Sequence, residues 1–255
     1  MRTALTIAGS DPSGGAGIQG DLKTFHAHGV YGMAVLTALT AQNTRGVSGI
    51  HDVPPAFVQA QLEAVLDDLP VHAAKTGMVS TEAAIGAVAD ALARRRPPHL
   101  VVDPVMVATS GDALLRDDAL AALRERLAPL ATLLTPNLPE AERLCGFPIE
   151  GVDAMRRAAR SLGPAAALVK GGHLEGPTVV DVLWDGRALH ELSGPRIPTP
   201  HTHGTGCALS AAVAALLARG EGLVAAVAAA RAYVRRGLER GVALGGGRNP
   251  LDHFA

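Results

Sequence analysis

A glycine-rich loop late in the chain has the composition of an anion-binding site. Residues 202–207 read Thr-His-Gly-Thr-Gly-Cys and run directly into an apolar stretch typical of a buried helix. Glycines at this spacing allow successive backbone N–H groups to converge, and a helix N-terminus adds about half a positive charge. Gly204 and Gly206 therefore predict a site that stabilises a transferring phosphoryl group. A glycine-rich entry to a tightly packed helix would have the same composition.

Cys207 falls in the first turn of that helix. The field of a helix N-terminus lowers the pKa of a thiol from its usual value of about 8.5. A thiolate at this point could accept the proton of an attacking hydroxyl, so Cys207 is the candidate general base. Cys145 has no glycine-rich loop before it and is interpreted as a small buried hydrophobe.

Three charged residues suit a nucleotide and its cation. Lys170 ends an apolar run and precedes two glycines, which places an ammonium where the backbone can approach a phosphate closely. Asp103 follows Leu-Val-Val and Glu140 opens a helix, and both carboxylates suit magnesium, directly or through water. Glu140 could instead be a partner of the helix dipole, and Asp103, which precedes a proline, could be a turn acid.

Two other motifs point to chemistry that we do not expect here. Residues 15–20 match the pattern G-x-G-x-x-G, but the apolar residues 35–39 offer no acid for a ribose, and no Gly-Lys-Ser/Thr follows. The pairs His26/His28 and His201/His203 lack the spacing and the acid or cysteine partners of a zinc site.

Composition restricts the remaining classes of function. The chain has 255 residues, 48% of them hydrophobic, a formal net charge of −1 and two cysteines. These values fit one full-sized α/β domain over residues 1–255 as well as two small ones, and two domains are not required. They give no basic surface for nucleic acid or membrane. The longest apolar stretch is too short to span a bilayer, and two cysteines cannot form a disulfide framework, so a cytoplasmic protein is expected.

Strand-like and helix-like segments alternate along the chain, which favours βαβ units and a mainly parallel sheet covered on both faces. Strands are predicted at residues 4–8, 34–39, 73–75, 100–102, 133–135 and 166–170, and helices at 19–28, 55–69, 81–95, 117–128, 139–145, 153–162, 207–219 and 223–240. Residues 178–184 and 188–192 predict a hairpin at an antiparallel edge. Ligands bind beyond the carboxyl ends of parallel strands. The glycine-rich and polar motifs that directly follow the predicted strands are therefore all candidate sites.

Taken together, these motifs resemble the hydroxymethylpyrimidine/phosphomethylpyrimidine kinase family of thiamine synthesis. The similar segments occur in order over nearly the whole chain: residues 6–24, 38–44, 103–106, 135–140, 170–173 and 202–210. The family belongs to the ribokinase-like superfamily, so the resemblance implies a three-layer α/β/α sandwich. It also implies transfer of phosphate from MgATP to the hydroxymethyl group of 4-amino-5-hydroxymethyl-2-methylpyrimidine, and then to the resulting monophosphate.

The resemblance also implies roles for individual residues. The catalytic group would be Cys207, Gly204, Gly206 and Lys170; the pyrimidine would contact Gln42, Asp21, Gly9, Met78 and Val105; ATP would contact Thr135, Asn137, Lys170, His203 and Gly204; and Mg²⁺ would lie near Asp103 and Glu140. A carboxamide such as that of Gln42 suits an aminopyrimidine because it both donates and accepts a hydrogen bond. A homodimer is implied as well.

One position departs from the family pattern. Thr109 stands where many relatives have a lysine near the phosphates, which removes a charge that could support the second transfer. Two alternatives to the pyrimidine kinase remain open. The first is a pyridoxal or pyridoxine kinase, whose nucleophile is also an aromatic hydroxymethyl group, and the second is a vitamin-binding module without turnover.

Overall fold

The computed structural model describes residues 1–108, 111–116, 118–162 and 166–255. Its strands are β1 (Thr3–Ala8), β2 (Tyr31–Leu36), β3 (Ala38–Asn43), β4 (Gly46–Asp52), β5 (Ala73–Thr76), β6 (His99–Val102), β7 (Leu133–Leu134), β8 (Ala167–Val169), β9 (Thr178–Trp184) and β10 (Leu189–Pro195). Its α-helices are α1 (Gly17–Ala27), α2 (Pro55–Asp68), α3 (Glu82–Arg94), α4 (Ala119–Ala122), α5 (Leu138–Cys145), α6 (Val152–Ser161), α7 (Thr205–Ala218) and α8 (Leu223–Glu239).

Eight strands form one sheet in the order β10-β9-β8-β7-β6-β5-β1-β2. Within this sheet, β8, β7, β6, β5, β1 and β2 pair in parallel with their neighbours, whereas β9 runs antiparallel to both β8 and β10. Strands β1 and β5 are buried along their whole length, as expected where helices cover both faces of a parallel sheet. The predicted parallel sheet with an antiparallel edge is confirmed.

Successive residues of each strand point to opposite faces of this sheet, and two apolar layers result. Leu5, Ile7 and Ala74 pack against α2, α3 and α4 on one face. Ala4 and Ala73 pack against α1, α7 and α8 on the other face. Helices α5 and α6 form a smaller cluster with β8 and β9. The predicted three-layer α/β/α architecture is therefore confirmed.

Two elements differ from the sequence-based expectation. The strand predicted at 34–39 ends at Leu36, and the chain continues as the two-stranded hairpin β3–β4, whose β4 residues are mostly exposed and carry no alternating apolar pattern. The helix predicted at 117–128 begins within the described residues at Ala119, widens to a π-helical turn at Leu123 and ends as a 3₁₀ turn that contains Pro129.

Within the part of the chain that the structure describes, no helix is both long and apolar enough to cross a membrane. Thr109, the position that departs from the family pattern, lies outside the described residues. The assignment of residues 1–255 to one domain stays a prediction.

Candidate active site

A row of polar side chains crosses the sheet at the carboxyl ends of its parallel strands. Each of these side chains lies two residues after an apolar residue that faces α1 and α7, so it points to that same face of the sheet. We call five of these residues the polar row: Thr6, Lys75, Asp103, Thr135 and Lys170. Each lies in, or shortly after, one of the strands β1, β5, β6, β7 and β8. The first four are almost fully buried. The polar row, with its three charged side chains, lies beneath the start of α7.

Asp103 connects the part of the polar row that also contains Thr135 and Lys170. Its carboxylate accepts from Lys170 Nζ at 3.0 Å, from Thr135 Oγ1 at 3.2 Å and from Ser210 Oγ on α7 at 3.0 Å. Burial alone would raise the pKa of Asp103, but Lys170, Lys75 and these hydrogen bonds hold it below its ordinary value. Asp103 is therefore a charged group that fixes the ammonium of Lys170.

The glycine-rich loop lies directly over this pair. A Cβ on Gly206 would sit 3.3 Å from Lys170 Nζ and 3.8 Å from Asp103 Oδ2, so the backbone of the loop and the ammonium converge. The N–H groups of Gly206 and Cys207 have no acceptor among the residues that the structure describes. Two free amides at the start of a 14-residue helix, beside a lysine, form an anion-binding site.

Gly204 fixes where that helix begins. Its φ is +77°, in the left-handed region, and a Cβ there would lie only 1.8 Å from the carbonyl oxygen of Gly15. Glycine is required for both reasons. The loop of residues 202–207, which we call the anion loop, is thus in direct backbone contact with the glycine-rich loop that precedes α1.

Cys207 does not have the pKa that the sequence predicted. Burial raises the pKa of its thiol to about 11, and the carboxylates of Asp21 and Asp103 act in the same direction. Lys75 and the N–H of Gly17 oppose this shift without reversing it. The expected thiolate at neutral pH was therefore wrong, because desolvation outweighs the field of the helix.

Asn137 and Glu140 form a capping box at the start of α5. The Asn137 side chain accepts from the Glu140 N–H at 3.0 Å, and Glu140 Oε2 accepts from the Asn137 N–H at 2.8 Å. Burial raises the pKa of Glu140 to about 7, with Lys170 acting against the shift. The helix-terminal role that the sequence left open for Glu140 is present, and the backbone N–H of Met106 also acts on its carboxylate.

The residues expected around the pyrimidine are partly brought together. A Cβ on Gly9 would lie 3.1 Å from Met78 Sδ, so these two residues are in contact. Thr40 on β3 donates to the carbonyl oxygen of Ser10 at 2.8 Å, and Gln42 Oε1 lies 3.1 Å from the same hydroxyl. The hairpin that carries Gln42 is therefore tied to the residue after Gly9. Val105, half-buried, follows in the turn after Asp103.

Asp21 forms a buried ion pair, and its contact with the pyrimidine stays a prediction. Its carboxylate is fully buried and accepts from Lys75 Nζ at 2.8 and 2.9 Å and from Thr6 Oγ1 at 2.6 Å. The sequence analysis missed this ion pair, because its two partners are 54 residues apart. A lysine inside an otherwise apolar strand was the signal that could have revealed it.

His203 is paired with a carboxylate, and its contact with ATP stays a prediction. Its imidazole is 6% exposed, and Nε2 lies 2.7 Å from Asp11 Oδ2. Asp11 additionally accepts from the N–H groups of Ser13 and Ala16. This buried pair, which the sequence analysis did not foresee, joins the loop before α1 to the loop before α7.

We expect Asp11→Asn and His203→Gln to weaken the same link between the two loops. A hydrogen bond to a charged group contributes about 1.5–3 kcal/mol, so each change should lower the unfolding free energy by an amount in that range. A double-mutant cycle by urea denaturation should give a coupling energy of at least about 1 kcal/mol. Ser13→Ala, which touches Asp11 without breaking the link, is the control. Strictly additive effects would contradict the pairing.

Comparisons with known proteins agree with this geometry. The family model described as phosphomethylpyrimidine kinase matches residues 11–252. The chain belongs to the phosphomethylpyrimidine kinase family. A hydroxymethylpyrimidine/phosphomethylpyrimidine kinase of Rhizobium meliloti is 55% identical to it, over 98% of this chain and 96% of the relative.

Two further matches extend the phosphomethylpyrimidine kinase assignment. A thiamine biosynthesis bifunctional protein of Geobacter sulfurreducens is 52% identical over 99% of this chain and 52% of its own length. The structure of an ADP complex of Bacillus subtilis pyridoxal kinase superposes with a TM-score of 0.92 at 40% identity, over 99% of this chain and 97% of that one. The predicted family, kinase activity and ribokinase-like fold are confirmed.

Proposed function

We propose that this chain phosphorylates the hydroxymethyl group of 4-amino-5-hydroxymethyl-2-methylpyrimidine with ATP, and then phosphorylates the monophosphate. The observation that carries the proposal is the pair of free amides at Gly206 and Cys207, set beside the ammonium of Lys170 at the carboxyl ends of the strands. Phosphoryl transfer requires little covalent chemistry from a protein and depends on such positioned charges. The family match supports the choice of substrate.

The reaction places each group in a defined role. The alcohol oxygen of the pyrimidine forms a bond to the γ-phosphorus while the bond from that phosphorus to the leaving oxygen of ADP breaks. The amides of Gly206 and Cys207 and the ammonium of Lys170 stabilise the charge on the transferring group. The hydroxyl proton passes to Cys207 Sγ in its thiolate form, after the thiol has released its own proton to solvent. We propose that the pyrimidine lies between Gly9, Met78, Val105 and Gln42.

The nucleotide side is supported by the half of the polar row around Asp103. Thr135 is fully buried and donates to Asp103, so we propose that it acts on ATP through the position of Lys170. Asn137 caps α5 and lies next to Lys170 in an isolated parallel bridge, and we propose that its carboxamide contacts the nucleotide. His203 contributes by holding Gly204 in place.

We propose that Mg²⁺ binds near Glu140 and Asp103 when the nucleotide is present. In the described residues, no group of three or more His, Cys, Asp or Glu side chains forms a metal site by itself. A cation that is held mainly by phosphate oxygens fits this donor set, with Glu140 as a carboxylate ligand and Asp103, already bonded to three donors, acting through water. When bound, the ion supplies charge neutralisation for the phosphates.

The raised pKa of Glu140 predicts two effects of pH. Between about 4.5 and 7 the folded state binds the Glu140 proton more tightly than the unfolded state, so this group makes the unfolding free energy fall as pH rises. Because a cation competes with that proton, the apparent Mg²⁺ constant in the kinase assay should tighten from pH 6 to pH 8. Both effects should be lost in Glu140→Gln and kept in Glu82→Gln, an exposed first-turn acid of α3. A pH-independent Mg²⁺ constant in the wild type would contradict the assignment.

Replacement of Cys207 tests the proposed base. We expect Cys207→Ala to lower kcat by about 10²-fold at neutral pH with little change in the KM of the pyrimidine, because only the proton acceptor is lost. Wild-type kcat should rise with pH towards the thiol pKa of about 11, and the variant should not show that rise. An unchanged kcat in Cys207→Ala would remove the base assignment and leave the anion site untouched.

A pyridoxal kinase is the second candidate function, and the observation in its favour is the structural match to the Bacillus subtilis pyridoxal kinase. Its substrate presents the same kind of nucleophile, an aromatic hydroxymethyl group. We expect kcat/KM for hydroxymethylpyrimidine, measured by coupled ADP release, to exceed that for pyridoxal by at least about tenfold. A preference of that size for pyridoxal would reverse the order of the two candidates.

We also propose that the chain forms a homodimer through the end of the sheet that carries β2. This strand is the open edge of the main sheet, and Tyr31 on it is 55% exposed. Leu39 on the adjacent hairpin is 46% exposed, so large apolar side chains lie in solvent in this region. Light scattering during gel filtration should give twice the 26.1 kDa mass of the chain, and a mass of one chain would contradict the proposal.

A further inference from the structure

The polar row contains one charged group that the proposed reaction does not use. Lys75 is completely buried in β5, and its ammonium is held by both carboxylate oxygens of Asp21 at 2.8 and 2.9 Å. Taking two charges out of water is costly, and an apolar pair of similar size commonly serves a core as well or better. The ion pair at the carboxyl end of β5 is therefore a candidate for a role other than stability.

The sheet order places Lys75 beneath the first turn of α7, which contains Cys207. Strand β5 lies between β6, which leads to Asp103, and β1, which leads to the loop before α1. At the start of α7, Gly206 lies over Lys170 and Asp103, while Gly204 contacts Gly15 in the loop before α1. Cys207, which follows Gly206, therefore lies between the end of β6 and the loop before α1. Lys75 is the member of the polar row at this point, because its strand β5 lies between β6 and β1.

We infer that Lys75 is a positioning residue that sets the proton affinity of Cys207, and that Asp21 holds its ammonium in place. The inference rests on the proposed role of Cys207 as proton acceptor. As the alcohol oxygen bonds to phosphorus, its proton passes to Cys207 Sγ, which must be anionic before the transfer. The buried ammonium stabilises that anion and changes no covalent bond itself.

The other charges around the thiol act with different signs. Asp21 from α1 and Asp103 beyond β6 destabilise a thiolate, whereas Lys75 and Lys170 stabilise it. Among these charges, Lys75 has the largest effect on the pKa of Cys207. Burial alone would lower the pKa of Lys75, but Asp21, Cys207 and Asp103 raise it above its ordinary value, so the ammonium stays charged through the pH range of the reaction.

Two substitutions should therefore move the thiol in opposite directions. Lys75→Met removes the cation at similar volume and raises the pH at which Cys207 ionises. Asp21→Asn removes an anion, leaves Lys75 charged beside Asp103, and lowers that pH. A purely structural ion pair predicts no such opposition, because both changes would simply loosen the same region.

The test is the rate of Cys207 alkylation by iodoacetamide as a function of pH, measured on the full chain with Cys145→Ser so that one thiol remains. We expect the midpoint to shift upward in Lys75→Met, measured as an alkylation rate about tenfold lower at pH 9, and downward in Asp21→Asn, measured as a higher rate at that pH. Lys23→Met is the matched control, since that ammonium bonds to the Gly14 carbonyl oxygen, and it should leave the midpoint unchanged.

Circular dichroism of each variant separates this effect from unfolding. If Lys75→Met does not fold, the double variant with Asp21→Asn replaces the ion pair by neutral groups, and its midpoint should still lie above the parent value because Lys75 affects Cys207 more than Asp21 does. If neither folds, Asp21→Asn alone decides. Midpoints that stay at the parent value, or that move in the same direction in Lys75→Met and Asp21→Asn, would overturn the inference. Because alkylation reports the thiol itself, this result is independent of turnover on a pyrimidine.

Discussion

Lys170→Met is expected to lower kcat/KM for ATP-dependent phosphorylation by about 10³-fold, the scale found when a donor aimed at developing charge is removed from an enclosed site. The ammonium lies 3.0 Å from Asp103 and beside the backbone of Gly206, so the substitution removes the positive charge that faces the phosphoryl group together with the two amides. Steady-state kinetics by coupled ADP release should show the loss mainly in kcat.

The same substitution also leaves Asp103 buried without its cation, which should lower the unfolding free energy by about 3 kcal/mol. Adding Asp103→Asn removes that unpaired charge and should recover much of the stability while leaving activity low. This double variant distinguishes a catalytic loss from a folding defect. Recovery of activity together with stability would show that Lys170 acts only through the fold.

Gly204→Ala is expected to cause the second large loss. The new Cβ would meet the carbonyl oxygen of Gly15 at 1.8 Å, and the left-handed φ of +77° disfavours any side chain, so the start of α7 has to move. Because the amides of Gly206 and Cys207 move with it, we expect kcat to fall by about 10²-fold or more. The unfolding free energy should fall by about 2 kcal/mol or more.

Gly222→Ala is the matched control for this change. Gly222 also precedes a helix, but its φ is −69° and a Cβ there would meet no heavy atom within 4 Å. Alanine should therefore leave activity unchanged and the unfolding free energy within about 1 kcal/mol of the parent. Equal effects of the two alanines would mean that the contact between Gly204 and Gly15 does not set the anion loop.

Much of the fold and part of the site could be read from the sequence, because the information is local there. Strands β1, β5 and β6 are apolar runs that end in a polar residue or a turn, and parallel strands bring those ends to one edge. This is how Lys170, Asp103 and the anion loop were placed together. The hairpin β3–β4 was missed because β4, mostly exposed, lacks the alternation that marks a half-buried strand.

The remaining features depend on contacts between distant segments. Asp11 and His203 are 192 residues apart, and neither residue type reveals its partner. Their pairing explains why His203 is buried at the junction of two loops. The pKa of Cys207 was mispredicted for a related reason, since the field of the helix is a local property but desolvation depends on everything packed around the thiol.

The central claim is that the amides of Gly206 and Cys207, together with Lys170, hold the transferring phosphoryl group. The most direct measurement is a crystal structure with hydroxymethylpyrimidine, ADP and an aluminium fluoride that mimics the phosphoryl group in transit. The aluminium fluoride should lie within hydrogen-bonding distance of both amides and of Lys170 Nζ. The pyrimidine hydroxyl should lie on the side of the fluoride that is opposite to ADP. A fluoride bound elsewhere, with these amides facing other protein groups, would contradict the account.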